Sequence, residues 1–206
     1  SPVACAGRGE DWIGPRVGGA VGCRAVFLAI HALPARATVR VPGDAATSAE
    51  GRQLAADTND TVVLVLPGDY PQNATLVVPD SVLLEGSGPE MTRIQGPPGM
   101  PVLELGYWNE VANLTIEGGL DGIGWHGSDI NTIHVHDVWF VDQAGAPVLV
   151  PNRPYIQMWF ERNVLVRPSF PTEITVDGDS EVWIRNNHFV GTTLESYLEV
   201  NFNDNG

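Results

Sequence analysis

Apolar positions in this chain recur in a fixed pattern. Four segments, Asn109-Val111-Leu114-Ile116, Ile133-Val135-Val138-Phe140, Met158-Phe160-Asn163-Leu165 and Val182-Ile184-Asn187-Phe189, share the internal offsets 0, 2, 5 and 7, and they begin 24, 25 and 24 residues apart. Spacing of two marks a strand with one inward face, and the step from offset 2 to offset 5 shifts the phase by one residue, so a bend falls between. A unit of this length, repeated, builds a stacked solenoid in which each copy packs on the next. The pattern predicts an all-β fold, a single-stranded right-handed parallel β-helix. Asn163 and Asn187 both occupy offset 5, where a structural ladder of side chain to side chain hydrogen bonds is expected.

Upstream of the repeat, Val39-Val41-Pro42 reads as a short strand, and Thr47 with Glu50 forms a capping box that opens a helix through about Ala56. Such a helix would cap the solenoid and cover its unpaired edge. Thr61 to Leu66 reads as a strand halted by Pro67-Gly68-Asp69-Tyr70, and further strands follow at Thr75–Val78, Val82–Leu84 and Leu103–Leu105. Two regions result: 1–37, a Gly- and Ala-rich cap, linker or leader, and 38–206, the β-helix, which ends without a capping helix and reads as a piece of a longer solenoid.

Charge narrows the partners. All eleven basic residues are arginines, set against 25 acidic residues, for a net charge of −14. Nucleic-acid affinity comes mainly from cations displacing counterions, so this balance argues against a nucleic-acid partner. No apolar run reaches the length of about 18 residues that a spanning helix needs. Arg24, the run Ala25 to Ile30 and Ala35-Arg36-Ala37 have the order of a secretory signal and its cleavage site, which points to a secreted, extracellular or periplasmic protein; an irregular structural cap is the other reading. Cys5 and Cys23 either close a disulfide in an oxidising compartment or leave with that leader. Sequons at Asn59, Asn73 and Asn113 fit the same route.

The segments Val39-Arg-Val-Pro-Gly-Asp44, Val65-Leu-Pro-Gly-Asp-Tyr70 and Val82-Leu-Leu-Glu-Gly-Ser-Gly88 resemble the opening turns of proteins of the pectin-lyase-like superfamily. Asn113-Leu-Thr-Ile-Glu-Gly118 and Val182-Trp-Ile-Arg-Asn-Asn-His-Phe189 resemble later turns. The resemblance covers about residues 38 to 206. It implies a right-handed parallel β-helix and a polysaccharide or oligosaccharide partner, with lyase, hydrolase or non-catalytic members all represented. Pectate lyases of this fold hold calcium on aligned acidic side chains, so calcium is the cation the resemblance implies, although no aligned aspartate trio stands here. The stretch Ile133-His134-Val135-His136-Asp137-Val138-Trp139-Phe140 is similar to the lyase segment Trp-Ile-Asp-His, with His136 and Asp137 in reverse order. Gly124-Trp125-His126-Gly127 only loosely approaches the Gly-His-Gly of polygalacturonases.

Inward residues at offsets 0 and 2 leave offset 1 outward, a row of Glu110, His134, Trp159 and Trp183. Turns stack about 4.8 Å apart. His134, Trp159 and Trp183 then form an aromatic row suited to sugar rings, with Asn186 as a polar neighbour, and these four are the candidate substrate-binding residues. Beside the row stand His136, Glu161 and Arg185 at offset 3 and Asp137 and Arg162 at offset 4. These five are the candidate catalytic residues: a carboxylate next to a guanidinium can orient a sugar acid or move a proton, and a ladder of surface ion pairs is the competing reading. Spacing of Cys and His supports no metal site, and His126 and His188 read as surface residues. Two functions follow: an extracellular carbohydrate-recognising β-helix, with cleavage of an acidic polysaccharide on this face by a lyase or hydrolase left open, and a non-catalytic structural or adhesive module that self-associates through its uncapped C-terminal end.

Overall fold

The structure, a computed structural model, describes residues 38–43, 62–126, 131–153, 155–167, 169–177, 180–191 and 198–203. The expected capping helix at 47–56, the two cysteines and the leader-like segment lie outside the described residues. Those described belong to one compact unit, 35–206, and all of their regular structure is strand.

Parallel strands stack in three directions. The first sheet carries seven strands in spatial order: β1 (Thr38–Val41), β2 (Val62–Val65), β5 (Leu83–Gly86), β8 (Asn109–Ala112), β11 (Asn131–His136), β14 (Ile156–Glu161) and β17 (Glu181–Arg185). The second orders β3 (Gly68–Pro71), β6 (Thr92–Gly96), β9 (Thr115–Gly118), β12 (Trp139–Val141), β15 (Val164–Val166) and β18 (His188–Val190). The third side is split into β4 (Leu76–Val77), β7 (Leu103–Leu105) and β10 (Ile123–Trp125), and β13 (Leu149–Arg153), β16 (Thr172–Asp177) and β19 (Leu198–Asn203). One parallel bridge, Ile123 to Val148, joins the two halves. The chain visits the three sides in rotation, which makes a parallel β-solenoid of about five turns.

Register follows the repeat. Asn109, Ile133, Met158 and Val182 are successive partners in the first sheet, and Ile116, Phe140, Leu165 and Phe189 are successive partners in the second. The inward positions of the first three copies are all at most 2 % exposed, whereas Val182, Ile184 and Phe189 of the fourth are partly buried against the core. The segment Gly68-Asp69-Tyr70, expected to halt a strand, is itself strand β3. Here the solenoid turns a corner and resumes pairing, with Asp69 opposite Arg93.

The phase shift has a definite backbone origin. At offset 4 the residues are Asn113, Asp137, Arg162 and Asn186, with φ between 55° and 57°; at offset 9 they are Gly118, Asp142, Arg167 and Gly191, with φ between 48° and 68°. One left-handed residue at each position turns the chain by a corner and restores the inward alternation. The conformation costs a residue with a side chain roughly 1–2 kcal/mol. Both arginines are paired to the aspartate stacked beneath them: Arg162 Nη2 to Asp137 Oδ2 at 2.8 Å and Arg167 Nη2 to Asp142 Oδ2 at 2.7 Å.

The asparagine ladder differs from expectation. Asn163 Oδ1 accepts from the Val138 amide at 3.0 Å and its Nδ2 donates to the Val135 carbonyl at 3.0 Å. Asn187 repeats this one turn on, accepting from the Asn163 amide at 2.9 Å and donating to the Phe160 carbonyl at 2.8 Å. The bonds run from side chain to backbone because the corner leaves one carbonyl and one amide unpaired inside the preceding turn. A carboxamide supplies the matching donor and acceptor.

Asn163 is fully buried, so Asn163→Ala leaves both main-chain groups unsatisfied. The expected loss is about 2–4 kcal/mol in unfolding free energy, measured by urea denaturation; a loss below about 0.5 kcal/mol would contradict the bridging role.

Candidate functional site

The outward face of the first sheet is built by its alternation. In β14 the exposed side of the strand carries Gln157, Trp159 and Glu161, while Ile156, Met158 and Phe160 point into the core. Register then places Glu110, His134, Trp159 and Trp183 side by side on consecutive strands, and His136, Glu161 and Arg185 in the parallel row. Asp137 and Arg162 are the left-handed corner residues that adjoin this second row.

Trp159 and Trp183 stack with centroids 4.5 Å apart and planes at 9°. They cover one another's facing surfaces, so ring edges rather than a broad flat platform are displayed over this pair. His134 meets Trp159 edge to face at 6.4 Å and lies 4.3 Å from the His136 ring. Asn186 sits exposed at its corner, with φ of 55°.

A connected polar cluster occupies the neighbouring row. His136 Nε2 lies 2.9 Å from Glu110 Oε1, and its Nδ1 lies 2.8 Å from Asp137 Oδ2. Arg162 grips Asp137 through Nε and Nη2 at 3.0 and 2.8 Å and reaches Glu161 at 3.4 Å. Hydrogen bonds from Arg162, and secondarily from His136, hold the Asp137 carboxyl below the usual range, against the opposing effect of partial burial. Glu161 is also 3.9 Å from Arg185 Nη1 and 4.0 Å from His134 Nε2. Eight of the nine residues proposed from the sequence therefore share one surface within a few strands, and Asn186 lies at its edge.

Offsets place Glu110 in the outward row but do not reveal two features. Glu110 joins the cluster through His136, and a hollow of about 260 Å³ opens beside it, lined by Ser81, Leu83, Trp108, Glu110, Thr132 and His134. Trp108 is 58 % exposed and itself left-handed at φ 58°. The signal for the cluster is the tripeptide His134-Val135-His136, since strand residues two apart share a face. A second hollow of about 480 Å³ lies between the loops of the third side, against Phe170 and Leu120, away from this cluster. Among the described residues no helix is long and apolar enough to cross a membrane.

Comparison with protein-family models, curated proteins and solved structures gives no match.

Burial, and next the neighbouring His136, press the His134 pKa below the ordinary 6.5. Folding thus disfavours its protonated form, so its contribution to stability is complete above that value and is lost as pH falls from there toward the lowered pKa. Imidazole resonances of His134 should titrate below those of a free histidine, and His134→Gln should flatten the corresponding part of the stability profile. Titration at or above the ordinary value would contradict this partly buried placement.

Proposed function

We propose that the protein is an extracellular β-helix that recognises carbohydrate on the outward face of its first sheet and cleaves an acidic polysaccharide there. One observation carries this reading: Glu161, only 17 % exposed, stands between two guanidiniums, Arg162 at 3.4 Å and Arg185 at 3.9 Å, beside the stacked pair Trp159 and Trp183. Arg185 is 61 % exposed, and its ion pair with Glu161 is long, which leaves donors for an incoming carboxylate. The resemblance of the opening turns to the pectin-lyase-like superfamily points to the same substrate class.

In this reading Arg185 binds the uronate carboxylate and offsets the charge that builds on it, while Arg162 holds Glu161 in place. Glu161 removes the proton from the carbon beside that carboxylate. The electron pair becomes a carbon–carbon double bond, and the glycosidic C–O bond on the next carbon breaks. The leaving oxygen takes a proton from water. Indole edges and Asn186 position the neighbouring sugar units.

Purified full-length chain incubated with a panel of acidic and neutral polysaccharides tests this. The expected result is ultraviolet absorbance from unsaturated uronate ends with an acidic polymer, reduced at least about 100-fold in Glu161→Gln and lowered in Arg185→Gln through weaker substrate binding. New reducing ends without that absorbance would replace elimination with hydrolysis. Silence in both assays, together with a glycan array showing no binder dependent on Trp183, would overturn the proposal in favour of a structural or adhesive module.

A further inference from the structure

We infer that Glu110, His134 and His136 form a site for a divalent transition metal of the zinc type, with one coordination position open to the adjacent hollow. The inference stands on the geometry of these three residues and does not rest on carbohydrate cleavage.

Three observations converge. First, one carboxylate oxygen and one ring nitrogen from each histidine lie within 4.8 Å of one another. A four-coordinate ion with bonds near 2.1 Å holds its donors about 3.4 Å apart, so small side-chain rotations close the set, and the pair Glu110 to His136 is already at 2.9 Å. The backbone supplies the convergence: His134 and His136 share a strand face, and Glu110 is the register partner of His134 on the next strand. Second, His134 Nε2 is buried and has no hydrogen-bond partner, the Glu161 carboxylate standing 4.0 Å away. A shielded ring nitrogen without a partner loses solvation with no return, and a metal ion restores a partner to it.

Third, the surroundings of His136 have the form that metal-ligating histidines need. Its Nδ1 faces the Asp137 carboxylate at 2.8 Å, and Asp137 is fixed by two bonds from Arg162. A carboxylate on one ring nitrogen sets the tautomer, turning the lone pair of the other outward and raising its basicity. Here that other nitrogen is Nε2, which also faces a carboxylate, Glu110 Oε1 at 2.9 Å, so an ion bound there takes the place of the proton this contact holds. Asp137 is then a positioning residue that acts through His136. Arg162 Nη2 also lies 3.2 Å from His136 Nδ1, on the side of the ring away from Glu110, and its charge is engaged by Asp137 and Glu161.

Ligand chemistry selects the ion. Two imidazoles and one carboxylate suit zinc and its neighbours, whereas calcium prefers six to eight oxygen donors. Three protein ligands leave a fourth position, and the hollow lined by Glu110 and His134 is where it opens. That position takes an oxygen donor: water, a sugar hydroxyl or a carboxylate.

The test uses the full chain stripped with chelator, then titrated with Zn²⁺ by calorimetry and with Co²⁺ by absorbance, with no saccharide present. One saturable site is expected, with the intense visible bands of four-coordinate Co²⁺ and no competition from excess Ca²⁺. His134→Gln and His136→Gln should each abolish that site, and Asp137→Asn should weaken it about 10- to 100-fold. Arg167→Gln, at the other corner, should leave it unchanged. Absence of saturable binding, weak six-coordinate Co²⁺ bands, or binding that persists in His134→Gln would overturn the inference and leave Glu110 and His136 as an ion pair only. Because binding is read directly on the wild-type protein, an unstable variant does not obscure the answer. Failure here leaves the polysaccharide assay untouched, and failure of that assay leaves this site standing.

Discussion

In-register stacking of one turn on the next is the constraint from which everything else in this protein follows. Main-chain hydrogen bonds fix neighbouring strands at about 4.8 Å, so every side chain is seated on the residue one repeat away. Inside, this seats Ile116, Phe140 and Leu165 in one apolar column. Outside, the same operation seats histidine on glutamate and tryptophan on tryptophan. Core and surface chemistry are thus two readouts of a single register, and a slip by one residue would exchange them.

Register alone does not close a turn. That task falls to the left-handed residues at offsets 4 and 9, and the chain fills these corners with glycine, asparagine, aspartate and, twice, arginine. Asn and Asp tolerate the conformation, whereas arginine does so at a cost. Each of those arginines lies one turn from an aspartate at the equivalent corner, so opposite charges stack where like charges would repel. These pairs are exposed, and their energies are modest. Their larger effect is to fix orientation: Arg162 holds Asp137, and Asp137 holds the His136 ring.

Much of this was legible in the sequence because a solenoid writes its geometry as a period. Four copies with common offsets specify which residues point inward and which face one another across strands, and the register partners of Ile133, Met158 and Val182 follow from subtraction. Offsets say nothing, however, about backbone handedness at a corner, so Asn163 and Asn187 read as a mutual ladder when each bridges the main chain of the preceding turn. Nor does a turn signal such as Pro67-Gly68-Asp69 reveal whether the chain leaves a sheet or only rounds into the next one. The Glu110, His134 and His136 trio hides for a related reason: two members sit two apart in one strand, and the third lies a full repeat earlier, a spacing that loop and helix motifs do not use.

The 24- or 25-residue unit also has a consequence for how such a surface changes over time. Each outward side chain takes its lateral neighbour from whichever turn comes next, while the apolar column beneath accepts almost any turn of the same offsets. Excision of the unit from residue 133 to 157 would seat Trp159 directly on Glu110 with the interior still continuous, removing both histidines in one event. Duplication of the same unit would double them. One such event exchanges a whole rung of surface side chains at once, whereas a point change replaces a single one.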